Sequence, residues 1–392
     1  MKILFFSTMN GSPWGGSEEL WFATAKLALK QKHTVSVIYR FWGDQEHDNI
    51  KSLRALGAKI IYRDMDLCVS KKHIWYEKTR LLLKFKLNIV LPPIPDLITQ
   101  LSYAELIPKQ IDVVCFSQGA AFDLAVPQKY LQLTEHINVP YFIISQFNKD
   151  FGLSLTTLQR KHAKTIISKA KTMFFVSKNN HKFAEHQLAV SIDNYAITAN
   201  SLNLDNLNIC PYPTNLEDTV FVSVARLDIT TKEIALQIKC FAEEVWRMRK
   251  WKYLIYGSGP DKDYLQDLIS YYGLKDKVFL CGFAEDIRAV WNKGHILLQP
   301  SIAEGTPLSL QEAMFCGRPA VVTDIAGNTE LIKEGINGFV AAGPIYNALS
   351  EALERAYLHR HLWEDMGRAG HKSAIKNINT RPEVDLLKAL IN

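Results

Sequence analysis

The sequence predicts an α/β protein built from two doubly wound, Rossmann-like domains facing each other across a cleft. Short apolar runs alternate with helix-length amphipathic segments along the whole chain, which is the pattern of βαβ units in parallel sheets. The length, 392 residues, exceeds one typical domain and fits two. Between the halves, residues 200–218 are rich in Asn and Pro and lack periodicity, which marks a linker.

The first apolar run, residues 2–7, ends just before Asn10, Gly11 and Pro13. It is too short for a signal peptide and reads as a strand. Further strands are expected over 34–39, 58–62, 113–116, 140–145, 172–177 and 195–198. In the second half they are expected over 220–226, 252–257, 277–281, 296–300, 320–323 and 338–340. Hydrophobic residues make up 47% and charged residues 22%, enough to bury two cores and too apolar for disorder. No apolar run approaches the ~18 residues of a membrane helix. The six cysteines (Cys68, Cys115, Cys210, Cys240, Cys281, Cys316) include no C-x-x-C pair. They read as buried thiols of a reducing compartment, which puts the expected location in the cytoplasm and argues against a zinc site.

Charge divides unevenly. Residues 1–200 hold 25 Lys/Arg against 16 Asp/Glu, and residues 201–392 hold 21 against 24. A basic first half points to an anionic partner, a membrane surface or a phosphate-bearing substrate. Residues 71–87 interleave six Lys/Arg with Ile74, Trp75, Leu81, Leu82, Leu83 and Phe85. Two readings stay open there: a basic amphipathic helix on anionic lipid, or an ordinary surface helix.

The chemistry concentrates in residues 299–317. A strand ends near Pro300, Thr306 reads as an N-cap, Pro307 as the first helical residue and Gly317 as the C-terminal cap. The helix would start at the C-terminal edge of a parallel sheet, where such sheets bind ligands, and its free N–H groups form an anion site. At ~100° per residue, Leu310, Ala313, Met314 and Gly317 share one face, and Leu308, Glu312 and Phe315 share the opposite one. Apolar on both sides, the helix is expected to be sandwiched. Its Glu312 then needs hydrogen-bond donors, such as ligand hydroxyls. Glu312 lies ~7–8 Å along the axis from the helix start, about the separation of a diphosphate from its ribose. Glu304 stands just before the cap.

Upstream, the strand ending near residue 226 delivers Arg226, and Lys232 follows before an amphipathic helix. A guanidinium with an ammonium neutralises a diphosphate without metal; the alternative is a salt bridge from Arg226 to Asp228. Gly257-Ser-Gly259-Pro260 fails the dinucleotide fingerprint, because Lys262 stands where the third glycine belongs, and reads as a tight turn lining the cleft. Gly15 and Gly16 follow the first strand, either as a flexible loop or as a place where substrate approaches backbone.

Taken together these segments resemble the retaining glycosyltransferases of GT-B fold, family 4. The resemblance is close over residues 219–341 and looser over the first half. It rests on Gly15-Gly16-Ser17-Glu18, Val224-Ala-Arg226 with Lys232, Tyr256-Gly-Ser-Gly-Pro260 and Gly282-Phe283. It also rests on Glu304-Gly-Thr-Pro-Leu through Glu312-Ala, Gly317-Arg-Pro319 and Gly327-Asn-Thr-Glu330. It implies an acceptor-binding domain over residues 1–205, a donor-binding domain over 206–375, and a C-terminal helix over 376–392 packing back on the first domain. Arg226 and Lys232 would hold the donor diphosphate, Glu312 the ribose and Glu304 the transferred sugar. The Gly305, Thr306, Pro307 and Leu308 backbone would hold sugar and phosphate. Gly257 and Phe283 would border the nucleotide, and Gly15 and Gly16 would let the acceptor domain close. The family often carries a histidine after a central strand of the first domain; here Ser117 and Gln118 stand in that region. The implied function is metal-independent transfer of a hexosyl unit from a nucleotide-diphosphate sugar to a glycan or lipid-linked acceptor, in surface polysaccharide or glycolipid synthesis. No cofactor and no nucleic-acid partner are implied, and the enzyme would work peripherally on the inner membrane face. A catalytically silent nucleotide-sugar-binding protein and a GT-B epimerase are the alternatives.

Overall fold

The computed structural model describes residues 1–43, 46–64, 103–126, 128–148, 155–214 and 218–392. The basic stretch 71–87 and Cys68 lie outside these residues. The first sheet holds β1 (Lys2–Ser7), β2 (Thr34–Arg40), β3 (Lys59–Arg63), β4 (Val113–Ala120), β5 (Tyr141–Phe147), β6 (Thr172–Phe175) and β7 (Tyr195–Ile197), in the order β3-β2-β1-β4-β5-β6-β7. The second holds β8 (Thr219–Val224), β9 (Trp251–Tyr256), β10 (Val278–Gly282), β11 (Ile296–Gln299), β12 (Ala320–Thr323) and β13 (Gly338–Ala341), in the order β10-β9-β8-β11-β12-β13. Every pairing is parallel. These are the two doubly wound sheets of a GT-B fold, and each strand expected from the sequence is present.

Each sheet is covered on both faces, which is why its strands are continuous apolar runs rather than alternating ones. Ile3, Leu4, Phe5 and Phe6 of β1 are all buried: Leu4 and Phe6 face one core cluster, Ile3 and Phe5 the other. The second sheet is sandwiched in the same way. One of its cores is dense in aromatic rings, with Phe241 stacked 4.4 Å from Trp251 and Trp246 edge-on to Phe221.

Near the first-domain crevice one strand bound differs from the expectation. β4 runs on to Ala120, so Ser117 and Gln118 lie in the strand rather than in the loop after it. Parallel neighbours continue on both sides, Ser7 beside Ser117 and Ser145 beside Gln118, and keep the backbone extended despite the polar side chains. The first helix spans Gly16–Lys30, and extended Gly15 supplies its first acceptor, taking the Glu18 N–H at 2.9 Å.

The chain crosses between the domains twice. Residues 198–214 pack Leu202, Leu204 and Leu207 against the second core. The last helix, Pro382–Ile391, returns to bury Leu386, Leu387 and Leu390 with Leu20, Trp21 and Ala25 of the first domain.

Candidate active site

Strand order reverses between β1 and β4 in the first sheet and between β8 and β11 in the second. At such a point neighbouring crossovers leave to opposite faces and open a crevice at the C-terminal strand ends. The two crevices face each other.

On the second domain, β8 leads into Ala225 and Arg226. Gly257 has φ +142°, and a Cβ there would sit 1.9 Å from the Ala225 carbonyl oxygen. Only glycine lets the 257–260 turn lie flat on the 225–227 segment, where Leu227 N–H donates to Ser258 O at 3.0 Å. The turn thereby fixes the direction of Arg226. Its guanidinium pairs with Asp228 at 2.6 Å, so the ion pair considered from the sequence exists. It also reaches the opposite domain: a Cβ on Gly11 would lie 3.6 Å from Arg226 Nη1.

Lys232 stands two residues before the Ile234–Phe241 helix. Its Nζ donates to Glu304 Oε1 at 2.6 Å, and Gln299 Nε2 donates to the same oxygen at 3.0 Å. Ser309 in turn donates to Gln299 Oε1 at 2.7 Å. Glu304 is thus a buried carboxylate held through one oxygen by a chain from the end of β11 to the next helix.

That helix spans Leu308–Phe315, with Pro307 rather than Thr306 at its cap. Pro307 is extended, at ψ 131°, which delays the helical turn by one residue. Thr306 does not cap: its hydroxyl donates across the cleft to the Val176 carbonyl just past β6. Residues Leu310 to Phe315 are all buried, so the helix is sandwiched as its two apolar faces require. Gly317 closes it at φ +74°. Burial pushes the Glu312 carboxyl up to about 7; the nearby Glu19 charge pushes the same way, and the Asn203 backbone N–H opposes both. Phe283, just past the end of β10, is 77% exposed at the outer rim.

On the first domain the wall is mostly backbone. A Cβ on Gly16 would lie 3.0 Å from Leu308 Cδ1, so the helices starting at Gly16 and Leu308 meet end to end. Glu18 is buried and pushed up to about 7, chiefly by burial, while Trp21 Nε1 at 2.6 Å and Ser7 at 3.3 Å donate to it. Glu19 accepts from Trp14 Nε1 at 2.7 Å. Gln118 does not offer its amide to the cleft: it donates to Ala121 O at 3.4 Å and accepts from Leu124 N–H at 2.8 Å, inside its own turn. Ser117 is buried between β1 and β5. Asp123 gathers Thr8 Oγ1, Gly119 N–H and Ala120 N–H at 2.9, 3.0 and 3.2 Å.

Contacts that sequence reasoning missed hold the domains together. A Cβ on Gly305 would lie 2.0 Å from the Gln146 carbonyl oxygen, so the two backbones touch. Glu330 accepts from the Asn179 and Lys178 N–H groups, at 2.9 and 3.3 Å, at the start of the Lys178–Leu188 helix. A carboxylate there meets unpaired N–H groups and the positive helix end. Asn179 Nδ2 also donates to Ala326 O at 2.8 Å. Ser177 as an N-cap after a strand was the available signal for this helix start; nothing in the sequence identified Glu330 as its partner.

Arg226, Lys232, Glu304, the Gly305–Leu308 segment and Glu312 therefore converge on one cleft with Gly16, while Gln118 does not join them. The crevice lies between two doubly wound domains arranged as in a GT-B fold, and it is lined by paired cations and carboxylates. Residues 210–373, in the second domain, match the family described as glycosyl transferases group 1. An exopolysaccharide phosphotransferase of Streptomyces coelicolor is 30% identical over 150 residues, covering 38% of this chain and 16% of that protein. One component of the human phosphatidylinositol N-acetylglucosaminyltransferase is 29% identical over 155 residues, covering 39% and 32%. The matches thus span a third or less of the length of these two relatives. Among solved structures, Anabaena HepE in complex with UDP has the same fold, with a TM-score of 0.68, 15% identity and coverage of 100% and 99% of the two chains.

Proposed function

We propose that this protein transfers a hexosyl unit from a nucleoside diphosphate sugar to a glycan or lipid-linked acceptor, with retention at the anomeric carbon and without a metal. The observation that carries this reading is the Lys232–Glu304 pair at the β8/β11 crevice, facing Gly16 and Gly11 of the other domain. Arg226 and Lys232 supply two positive charges, and the Leu308–Phe315 helix adds its N-terminal dipole. These stabilise the diphosphate as it departs. Glu304 keeps one oxygen outside the Lys232 and Gln299 bonds to accept sugar hydroxyls, and Glu312 accepts ribose hydroxyls in place of water. The acceptor hydroxyl attacks from the face the leaving group vacates, and a phosphate oxygen takes its proton. Uridine diphosphate sugars are the donors to test first, since HepE has been solved with UDP and with UDP-glucose. The names of the two relatives, one referring to exopolysaccharide and the other to phosphatidylinositol, support an acceptor of a surface polymer or lipid. The basic balance of residues 1–200 supports work at an anionic membrane on its cytoplasmic face; among the described residues no helix is long and apolar enough to cross one.

The test is Glu304→Gln, assayed for sugar transfer or donor hydrolysis and, separately, for nucleotide binding. Loss of nearly all turnover with nucleotide binding intact is expected. Turnover at the wild-type rate sinks the reading.

A further inference from the structure

Behind the cleft, the interdomain linker meets the helix that carries Glu312 at a pair of cysteines. The Cys210 N–H donates to the Cys316 carbonyl at 3.1 Å. In a hydrogen-bonded strand pair a backbone bond goes with Cα atoms about 5.5 Å apart, and a contact of similar closeness falls within the roughly 4.4–6.8 Å that a disulfide spans. Both residues are buried and both thiols are free. Arg318 clamps the pair, donating to Cys210 O at 3.3 Å and Cys316 O at 2.9 Å. Arg288 holds the preceding linker through Asn208 O at 2.8 Å. A Cβ on Gly317 would lie 2.3 Å from Ile209 Cγ1, so linker and helix end are in tight register.

We propose that Cys210 and Cys316 are a modification site: a dithiol that converts reversibly to a disulfide and staples the linker to the donor helix. Cys210 is the attacking sulfur. The Cys316 S–H donating to it is the largest influence and lowers its pKa; burial opposes this, and the Arg288 and Arg318 guanidinium groups reinforce it against Asp286, leaving the thiol at about 6. Cys316 is pushed up correspondingly. The other described cysteines are also pushed up by burial: Cys115 and Cys240 in the cores, and Cys281 at the surface. Reactivity follows thiolate character, so Cys210 is singled out among them.

The oxidant is a low-molecular-weight disulfide such as oxidised glutathione. The Cys210 thiolate attacks one of its sulfurs, forming a mixed disulfide and expelling a thiolate, which takes the Cys316 proton. The Cys316 thiolate then attacks the Cys210 sulfur and expels the second thiolate, which takes back from water the proton that Cys210 had released. Two protein thiols are oxidised, one disulfide is reduced to two thiols, and no other reactant is needed. Because both residues are buried, residues 209–211 must lift from the helix end for the first attack.

The test uses the full chain, reduced and then incubated with oxidised glutathione, read by non-reducing peptide mass spectrometry. Wild type is expected to gain a 210–316 cross-link that dithiothreitol reverses, and its melting temperature should rise with it. Cys316→Ser should instead accumulate a glutathione adduct at Cys210, and Cys210→Ser should leave Cys316 unmodified. A wild-type protein that keeps both thiols free, forms the link only in denaturant, or cross-links other cysteines first overturns the proposal. None of these readouts depends on glycosyl transfer, so failure here leaves the functional reading intact.

Discussion

The two domains share one winding and one kind of crevice, yet they fill it differently. In the second domain the ends of β8 and β11 present charged side chains, and the Lys232–Glu304 pair at 2.6 Å lies where a ligand can enter the network. In the first domain the ends of β1 and β4 are tied to themselves. Asp123 collects Thr8 and two backbone N–H groups, and Arg63 donates to Ser7 O at 2.9 Å and Asn10 Oδ1 at 3.0 Å. Side chains that satisfy one another hold a surface in shape but have little left for a ligand. On the proposed function the second crevice recognises the ligand while the first gives it shape, with Gly11, Gly16 and the Gln146 carbonyl as contact points between the domains.

The largest test of that contrast is a pair of substitutions. Lys232→Ala removes a charge-assisted bond worth about 2 kcal/mol, so nucleotide diphosphate affinity should fall about 30-fold. Gln118→Ala, on strand β4 at the first-domain reversal point, should leave that affinity unchanged while lowering the melting temperature, since its bonds are internal. Calorimetric titration of both variants checks this; a large affinity loss in Gln118→Ala breaks the comparison.

A smaller effect separates two carboxyls with the same shift. Glu18 and Glu312 are both pushed up to about 7 by burial. A raised carboxyl stabilises the fold below its unfolded pKa, so both contributions are lost as pH rises through about 7. Only Glu312 is proposed to accept ligand hydroxyls, which favours its ionised form. Nucleotide affinity should therefore strengthen with rising pH, at most tenfold per unit below about 7, and level off above. Glu312→Gln should flatten that profile while Glu18→Gln preserves it; titrations from pH 5.5 to 8.5 read this directly.

The same division explains what was legible in the sequence. Both sheets were, because strands buried on two faces are written as apolar runs such as 3–6 and 296–298. The grouping of Arg226, Lys232, Glu304 and Glu312 was legible too, because they lie on one domain, where turn and helix signals fix their relative positions. Contacts between domains were not. Thr306 reads as a cap from its neighbours alone, but its hydroxyl is taken by Val176, about 130 residues away. Gln118 looked like a ligand group because strand β4 gives no local sign of continuing past Phe116; its continuation depends on β1 and β5. Glu330 needed the helix start at Lys178, another long-range fact.

The central claim, that the second-domain crevice holds a nucleotide diphosphate through Glu312 and its neighbouring cations, is tested most directly by thermal shift. Wild type and Glu312→Ala would be compared with UDP, GDP, ADP and dTDP sugars, with NAD as a control. Ligand at about 100 times its Kd stabilises the native state by about 2.7 kcal/mol. The account predicts that one nucleotide sugar raises the wild-type melting temperature, that Glu312→Ala loses most of the shift, and that NAD does nothing. An equal shift in both proteins, or a shift with none of the nucleotide sugars, would contradict it.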